Sequence, residues 1–323
     1  MKKSGVTLPR ILLWAGLSLL ILFGGARLYF RLTDDFRLSN IQYDMPHYQE
    51  WEIPPLAVAE RQKLEDILSQ RFYYIGKGAQ SYAFGSEDGK HVLKFFKFKH
   101  LRPNWFVDML PGITPFKEYK ENLSIRKNRK LYGVFDGYRL AYAVHKGESG
   151  LIFIHLNRSS HLHKSVTVVD KIGLPRTIVL DEVPFILQQK ARTTRTVVNE
   201  ALKMGDIAKA QSSINQIFDL YLIEYQKGVY DKDHGVMHNT GFVGNLPIHL
   251  DIGKLTAEPH MKSPEFWQPD LEIIAWKFAV WTKANYPDEY PAIAQGIESK
   301  LTNLFERPFA FANSTPPPRK KKK

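Results

Sequence analysis

The 323-residue sequence contains no cysteine. That excludes disulfides, thiolate metal sites and a cysteine nucleophile. It leaves the redox compartment open, because a chain without thiols suits oxidising and reducing surroundings alike. Acidic residues are in deficit: 33 Asp and Glu stand against 45 Lys and Arg, for a formal charge of +12. A basic excess favours anionic partners such as phosphates, anionic lipid or nucleic acid. A solvated face and a soluble tail give the same balance. No nucleic-acid partner is expected, because the basic cluster Arg126, Lys127, Arg129 and Lys130 carries no aromatic stacking pattern. No internal repeat is visible. Apolar runs long enough to approach a membrane span are also lacking, with one exception near the N-terminus.

That run is Ile11 to Ala26, sixteen uncharged residues that follow Lys2, Lys3 and Arg10. As a helix it spans about 24 Å, slightly short of a ~30 Å hydrocarbon core. A snorkelling Arg27 would add Leu28, Tyr29 and Phe30 to the span. Trp14 and Tyr29 suit the interface. Residues 1–30 therefore read as a single-pass anchor that contacts the membrane through residues 11–30. A cleaved signal peptide is the alternative, since the charged start, apolar middle and Gly24-Gly25-Ala26 fit it too. A buried core helix fits the Lys2-Lys3 start poorly. The side of the membrane is undetermined: Lys2, Lys3 and Arg10 precede the run, and Arg27, Arg31 and Arg37 follow it, so no charge asymmetry exists.

The full chain is 44% hydrophobic and 13% aromatic, enough for a sizeable core. Residues 31–70 read as a linker with Pro46, Pro54 and Pro55, then an approach helix with Leu64, Ile67 and Leu68 on one face. Residues 71–190 read as a sheet with one basic helix over 113–147. Strands are expected at 72–75, 82–84, 91–98, 151–154, 166–169, 177–180 and 185–187. Residues 191–307 read as mostly helical. Asp206 to Lys227 is amphipathic and ends at Gly228, and Pro269 to Asn285 and Tyr290 to Arg307 are expected to close the domain. Residues 308–323, with Pro316 to Pro318 and a lysine run, read as a disordered basic tail.

Chemistry concentrates in two places. The first is Gly76-x-Gly78-x-x-Ser81, a turn between two strands. Two glycines let backbone N–H groups approach phosphate oxygens without Cβ interference. Lys94 lies on the third strand of the same meander, where its charge can reach bound phosphates. The plain alternative is an antiparallel meander with an exposed lysine. The second place is Tyr230-Asp231-Lys232-Asp233-His234-Gly235-Val236-Met237-His238-Asn239, followed by Asp251-Ile252-Gly253 at a strand end. Phosphoryl transfer needs such a set: one carboxylate to orient a hydroxyl, and Asn and Asp oxygens to hold Mg2+. Turn formation is the plain role for Asp231 and Asp233. A calcium loop fails, because Phe242 stands where a bidentate Glu belongs. Zinc at His234, His238 and His249 lacks an evident fourth ligand.

The order of these parts resembles the protein-kinase-like superfamily, including its small-molecule and lipopolysaccharide-sugar kinases. The resemblance covers roughly residues 71–255. It implies an α+β class: a bilobal kinase-like domain with an antiparallel N-lobe sheet and a reduced, mostly helical C-lobe, after one N-terminal transmembrane helix. It matches Gly76, Gly78 and Ser81 to the Gly-rich loop, and Lys94, in Val92-Leu93-Lys94, to the strand lysine. Asn239 matches the catalytic-loop Asn. Asp251 matches the first residue of Asp-Phe-Gly, with Ile252 in place of Phe. ATP and Mg2+ are the implied cofactors, with Asn239 and Asp251 on the metal.

The sequence departs from that pattern at the base. Five positions before Asn239 stands His234; Asp233 is six back and Asp231 eight back. A one-residue insertion makes Asp233 the base, with Asp231 the other candidate. Glu118, Glu121 and Glu148 are candidates for the partner of Lys94. Ala-Pro-Glu and a long activation segment are missing, which favours a small or lipid-linked acceptor over a protein. Two further readings stand beside ATP-dependent phosphoryl transfer. One is a pseudokinase-type, membrane-tethered scaffold with a protein partner. The other is an envelope protein of unrelated α+β fold.

Overall fold

The computed structural model describes residues 8–101, 109, 114 and 116–314. Lys2, Lys3 and the 315–323 part of the expected tail lie outside these residues. The first helix, α1 (Leu8–Leu32), carries the apolar run, and none of its most apolar window is buried in the protein. It is long and apolar enough to cross a membrane, a test that a signal sequence also meets. Beyond it Asp34 and Asp35 both adopt left-handed backbone and reverse the chain. Short polar side chains tolerate that conformation best. Phe36 then enters the core.

The stretch before the approach helix, residues 31–56, also contributes to the core. Phe36, Ile41, Trp51, Leu64, Ile67 and Leu68 are all buried. The last three lie on helix α2 (Val58–Leu68), as the expected apolar face required. The earlier three are too widely spaced along the sequence to show any periodicity.

The main sheet contains β1 (Arg71–Lys77), β2 (Ser81–Ser86), β3 (His91–Phe96), β4 (Leu151–His155), β5 (Ser165–Val169), β6 (Pro175–Val179) and β7 (Phe185–Gln189). Their order is β4-β7-β3-β2-β1-β5-β6. The expected antiparallel sheet is corrected at one point, because β1 and β5 are parallel, with Phe72 opposite Val168. After β4, at one edge, the chain crosses to the other side of the sheet and lays β5 along β1. That covers an edge that would otherwise expose unpaired backbone groups. The order also dictates curvature. Five strand-to-strand steps separate β6 from β7, about 24 Å at ~4.8 Å each. Residues 180–184 reach at most about 20 Å, and part of them is a tight turn. The sheet must therefore curl. Inside the curl Phe72, Tyr82, Phe84, Leu93, Phe153, Val168 and Phe185 form one core with Phe36 and the buried face of α2.

Helix α3 (Phe116–Val144) packs on the sheet's other face through Leu131, Val134, Phe135 and Tyr138. The same core takes in Ile252 and Leu255, so it joins the sheet to the downstream half of the chain. That half begins with β8 (Arg192–Thr193) and α4 (Thr194–Lys203), a helix the sequence reading missed; the Thr193 hydroxyl caps it by accepting from Thr196 N–H. Helix α5 (Ile207–Lys227) follows, capped by Asp206 and terminated by left-handed Gly228. Next come β9 (Val229–Asp231), the single turn α6 (Val236–Asn239), β10 (Thr240–Val243), β11 (Leu246–His249) and β12 (Leu255–Ala257). Strands β10 and β11 form a hairpin, and β9 pairs with β12. Helices α7 (Pro264–Asn285) and α8 (Tyr290–Phe305) close a second, helical core with α5. Helix α7 starts earlier than expected: Pro264 occupies its first turn, and Pro269 lies inside it. Phe309 and Phe311 are buried in this core, so residues 308–314 belong to the folded body.

Candidate functional site

The glycine loop joins β1 to β2. A bulge between Tyr74 and Gly76 precedes it, and Gly78 N–H donates to the Ser81 carbonyl at 2.9 Å. Neither Gly76 nor Gly78 has left-handed backbone. Their use is space: a Cβ at Gly76 would meet nothing within 4 Å, and one at Gly78 only the Ser81 hydroxyl at 3.9 Å. Cations surround the loop. Lys77 Nζ lies 3.1 Å from an Asp34 carboxylate oxygen. Lys97 Nζ donates to the Gly78 carbonyl at 2.6 Å, and Lys97 N–H to the Gln80 carbonyl at 2.7 Å. Burial, with Lys77 nearby, brings the Lys97 ammonium down to about 8. Asp34 also takes Lys171 and the Tyr74 hydroxyl. Burial alone would raise its carboxyl, but these partners outweigh that and hold it at about 2.

Lys94 sits on β3 opposite Ala83 of β2 and Ile186 of β7. Its Nζ donates to the Leu250 carbonyl at 2.7 Å. Burial pulls its ammonium below the usual range, and the charge of Asp251 acts in the other direction. Lys94 and the Asp251 segment are thus brought together from opposite halves of the chain. None of the three candidate glutamates pairs with Lys94. Glu148 bonds Lys227 at 2.7 Å, and Glu118 and Glu121 lie exposed on the first turns of α3.

Asn239 and Asp251 are also adjacent. The Asn239 carbonyl accepts from Leu250 N–H at 2.6 Å and Asp251 N–H at 3.4 Å. The loop and this segment touch, since a Cβ on Gly253 would lie 3.3 Å from Gln80 Oε1. From the other side α3 presses on the same turn: a Cβ on Gly137 would lie 2.9 Å from the Ile252 carbonyl oxygen. Only glycine permits that approach. Burial and the charges of Asp251 and Asp231 push the neighbouring Tyr138 phenol well up.

The two candidate bases have different surroundings. Asp233 is partly exposed, and its Oδ2 accepts from Lys254 at 2.5 Å. Asp231 is buried; its Oδ1 accepts from Asp233 N–H at 2.9 Å, and its Oδ2 lies 3.2 Å from His249 Nε2. Asp231 supports the turn, and Asp233 is the carboxylate that reaches solvent. Asp270 of α7 holds this turn from beneath. It accepts from the Tyr225 hydroxyl at 2.6 Å and the Tyr230 hydroxyl at 3.0 Å, and lies 2.6 Å from His234 Nε2.

No protein-family model matches the sequence. No curated protein matches it significantly either. Solved structures of WbdD show a distant likeness. A high-resolution WbdD structure has 13% identity over 69% of this chain and 43% of that chain, with a TM-score of 0.32. A WbdD co-crystal with the kinase inhibitor LY294002 has 14% identity over 74% and 47%, with a TM-score of 0.31. A further structure, of the bifunctional kinase-methyltransferase WbdD, has 12% identity over 73% and 45%, with a TM-score of 0.34. The chain spans less than half the length of these proteins.

Sequence reasoning missed a buried group behind the site. Glu224 of α5 lies 3.0 Å from His145 Nε2 and 2.5 Å from His249 Nδ1, and all three side chains are fully buried. Burial alone would raise the Glu224 carboxyl, but His249 and His145 outweigh that and hold it at about 2. The signal was legible in principle: Ile217, Tyr221 and Glu224 share the apolar stripe of α5, and an acid there is out of place. The three donors satisfy a loose metal-ligand criterion. Two ligands of one tetrahedral zinc, each ~2.0–2.1 Å from the ion, stand about 3.3 Å apart. The 2.5 Å contact is a hydrogen bond instead. The zinc trio weighed from sequence does not converge: His234 goes to Asp270, His238 lies 3.3 Å from Arg195, and His249 goes to Glu224. A cavity of about 400 Å³ lies elsewhere, between residues 51–56, α2 and the end of β4. No candidate site residue lines it.

Proposed function

We propose that this chain is a membrane-anchored, kinase-like phosphotransferase acting on a small or lipid-linked hydroxyl acceptor. One observation carries the reading: Lys94 and Asn239, distant in sequence, both bond Leu250 beside Asp251, and Gln80 of the Gly76–Ser81 loop lies against Gly253 two residues on. In this reading ATP lies under the loop, with backbone N–H groups of 76–81 and the Lys94 ammonium facing its phosphates. The oxygens of Asn239 and Asp251 are a hard donor set suited to Mg2+, which when bound neutralises phosphate charge. Asp233 accepts the proton of the acceptor hydroxyl. The hydroxyl oxygen forms a bond to the γ-phosphorus, the bond from that phosphorus to the bridging oxygen breaks, and ADP leaves with its electron pair.

The test uses the full chain in detergent, because Phe36 belongs to the core and a shorter piece would lose it. ATP with Mg2+ should raise the melting temperature, and released ADP should disappear in Asp251→Asn. No shift with ATP and Mg2+ would sink the reading. A second reading has its own support: Lys94 has a carbonyl rather than a carboxylate as its partner. A pseudokinase-type scaffold would show the shift without turnover.

A further inference from the structure

Strands β9 and β11 lead into the two carboxylates of the proposed site, Asp233 and Asp251. They belong to different sheets. Strand β11 pairs with β10, and β9 pairs with β12. The β9–β12 ladder, with Leu255 opposite Asp231 and Lys232 N–H donating to the Lys254 carbonyl at 3.4 Å, fixes the chain that follows the Asp251 turn, but no ladder joins β9 to β11, the strand that leads into Asp251. A side-chain bridge does. His249, the last residue of β11, lies with Nδ1 2.5 Å from Glu224 and Nε2 3.2 Å from Asp231, the last residue of β9. Asp231 in turn accepts from the N–H of Asp233. Leu250, next to His249, receives Lys94 on its carbonyl and gives its N–H to Asn239. Glu224 also bonds His145, just past the end of α3, whose Gly137 rests on Ile252.

We infer that Glu224 is a positioning residue: through His249 it sets the spacing between the Asp233 turn and the Asp251 turn. The inference rests on the phosphotransferase reading for what that spacing serves. Its physical argument is independent. Burying ionised groups is costly, and replacing a whole buried ion pair by apolar residues is often neutral or stabilising, whereas removing one partner is strongly destabilising. An all-apolar cluster would serve packing as well. What apolar side chains cannot do is hold an imidazole in one orientation between two carboxylates.

The experiment compares the full-length protein in detergent with Glu224→Leu and Glu224→Gln by hydrogen exchange and mass spectrometry. In Glu224→Leu, exchange should rise at least tenfold in peptides covering 229–235 and 247–254 and stay unchanged in α7. Glu224→Gln keeps one acceptor oxygen and should rise less, in the same two peptides. If the leucine variant fails to fold, the glutamine variant decides alone. Unchanged exchange, or a uniform rise across the chain, would overturn the inference. So would a stoichiometric metal ion in the wild type that is lost in Glu224→Gln. In ATP turnover, Glu224→Gln should lower kcat at least tenfold with KM for ATP within threefold. If the wild type gives no shift with ATP and Mg2+, the phosphotransferase reading falls while the exchange pattern still judges the bridge.

Discussion

Lys94 Nζ lies 2.7 Å from the carbonyl oxygen of Leu250, a residue 156 positions later in the chain. This hydrogen bond is where the curled sheet meets the strand end that carries Asp251. It spends a half-buried ammonium on a neutral carbonyl, an arrangement that favours taking up an anion.

Lys94→Ala should therefore separate binding from folding. Its melting temperature without ligand should equal or exceed that of the wild type, because removing a half-buried cation relieves part of a desolvation cost. Its affinity for ATP with Mg2+, measured by calorimetry, should fall at least tenfold. Wild-type affinity in this variant would remove Lys94 from the proposed site.

Gly133 and Gly137 lie one turn apart on α3 and should respond with opposite signs. A Cβ at Gly133 meets nothing within 4 Å, whereas one at Gly137 meets the Ile252 carbonyl at 2.9 Å. Gly133→Ala should stabilise by about 0.5–1 kcal/mol through helix propensity. Gly137→Ala should destabilise by about 1–3 kcal/mol, as overpacking does. Urea denaturation of the detergent-solubilised chain measures both, and equal effects would refute the close approach of α3.

Acid should unfold the protein through groups that are bound in the folded state. Asp34, Asp88 and Glu224 have carboxyls held at about 2, against ordinary values of 3.8, 3.8 and 4.5. For Asp88 burial opposes the shift, and Ser86 and the Lys90 N–H outweigh it. The unfolded chain then binds more protons in this window, so stability rises with pH there. The contribution is complete above about pH 4.5 and is lost as pH falls toward 2. Asp34→Asn combined with Asp88→Asn should flatten the acid limb of a stability–pH curve. An unchanged slope would show that these carboxyls are not the cause.

A phosphotransferase needs its domain on the side of the membrane that holds ATP. A topology reporter fused after Lys323 should report that side. The opposite side would exclude ATP-dependent transfer and favour the scaffold, and the three-against-three charge balance around the apolar run makes this a measurement rather than a deduction.

Much of the fold was legible because it is local. The strands around Gly76, the apolar stripe of α5 and its stop at Gly228 all follow from contacts within a few residues. The short α4 was not legible, since its start depends on Thr193 and its buried residues are Thr194, Val198, Ala201 and Leu202, too few for a clear periodicity. Among the candidate site residues, Gly76, Gly78, Lys94, Asn239 and Asp251 stood out by type and spacing. Glu224, His145 and Asp270 did not, because their partners lie far away in sequence.

The sequence by itself determined the apolar N-terminal helix, the order of the main-sheet strands and the long helices, and the absence of thiol chemistry. Each depends on residue type or on periodicity between neighbours. Only the tertiary structure decided the parallel pairing of β1 with β5, the burial of Phe36, Ile41 and Trp51, and the different surroundings of Asp231 and Asp233. Those features depend on how a seven-stranded sheet curls and on which buried charges then face one another. Local spacing carries no record of either.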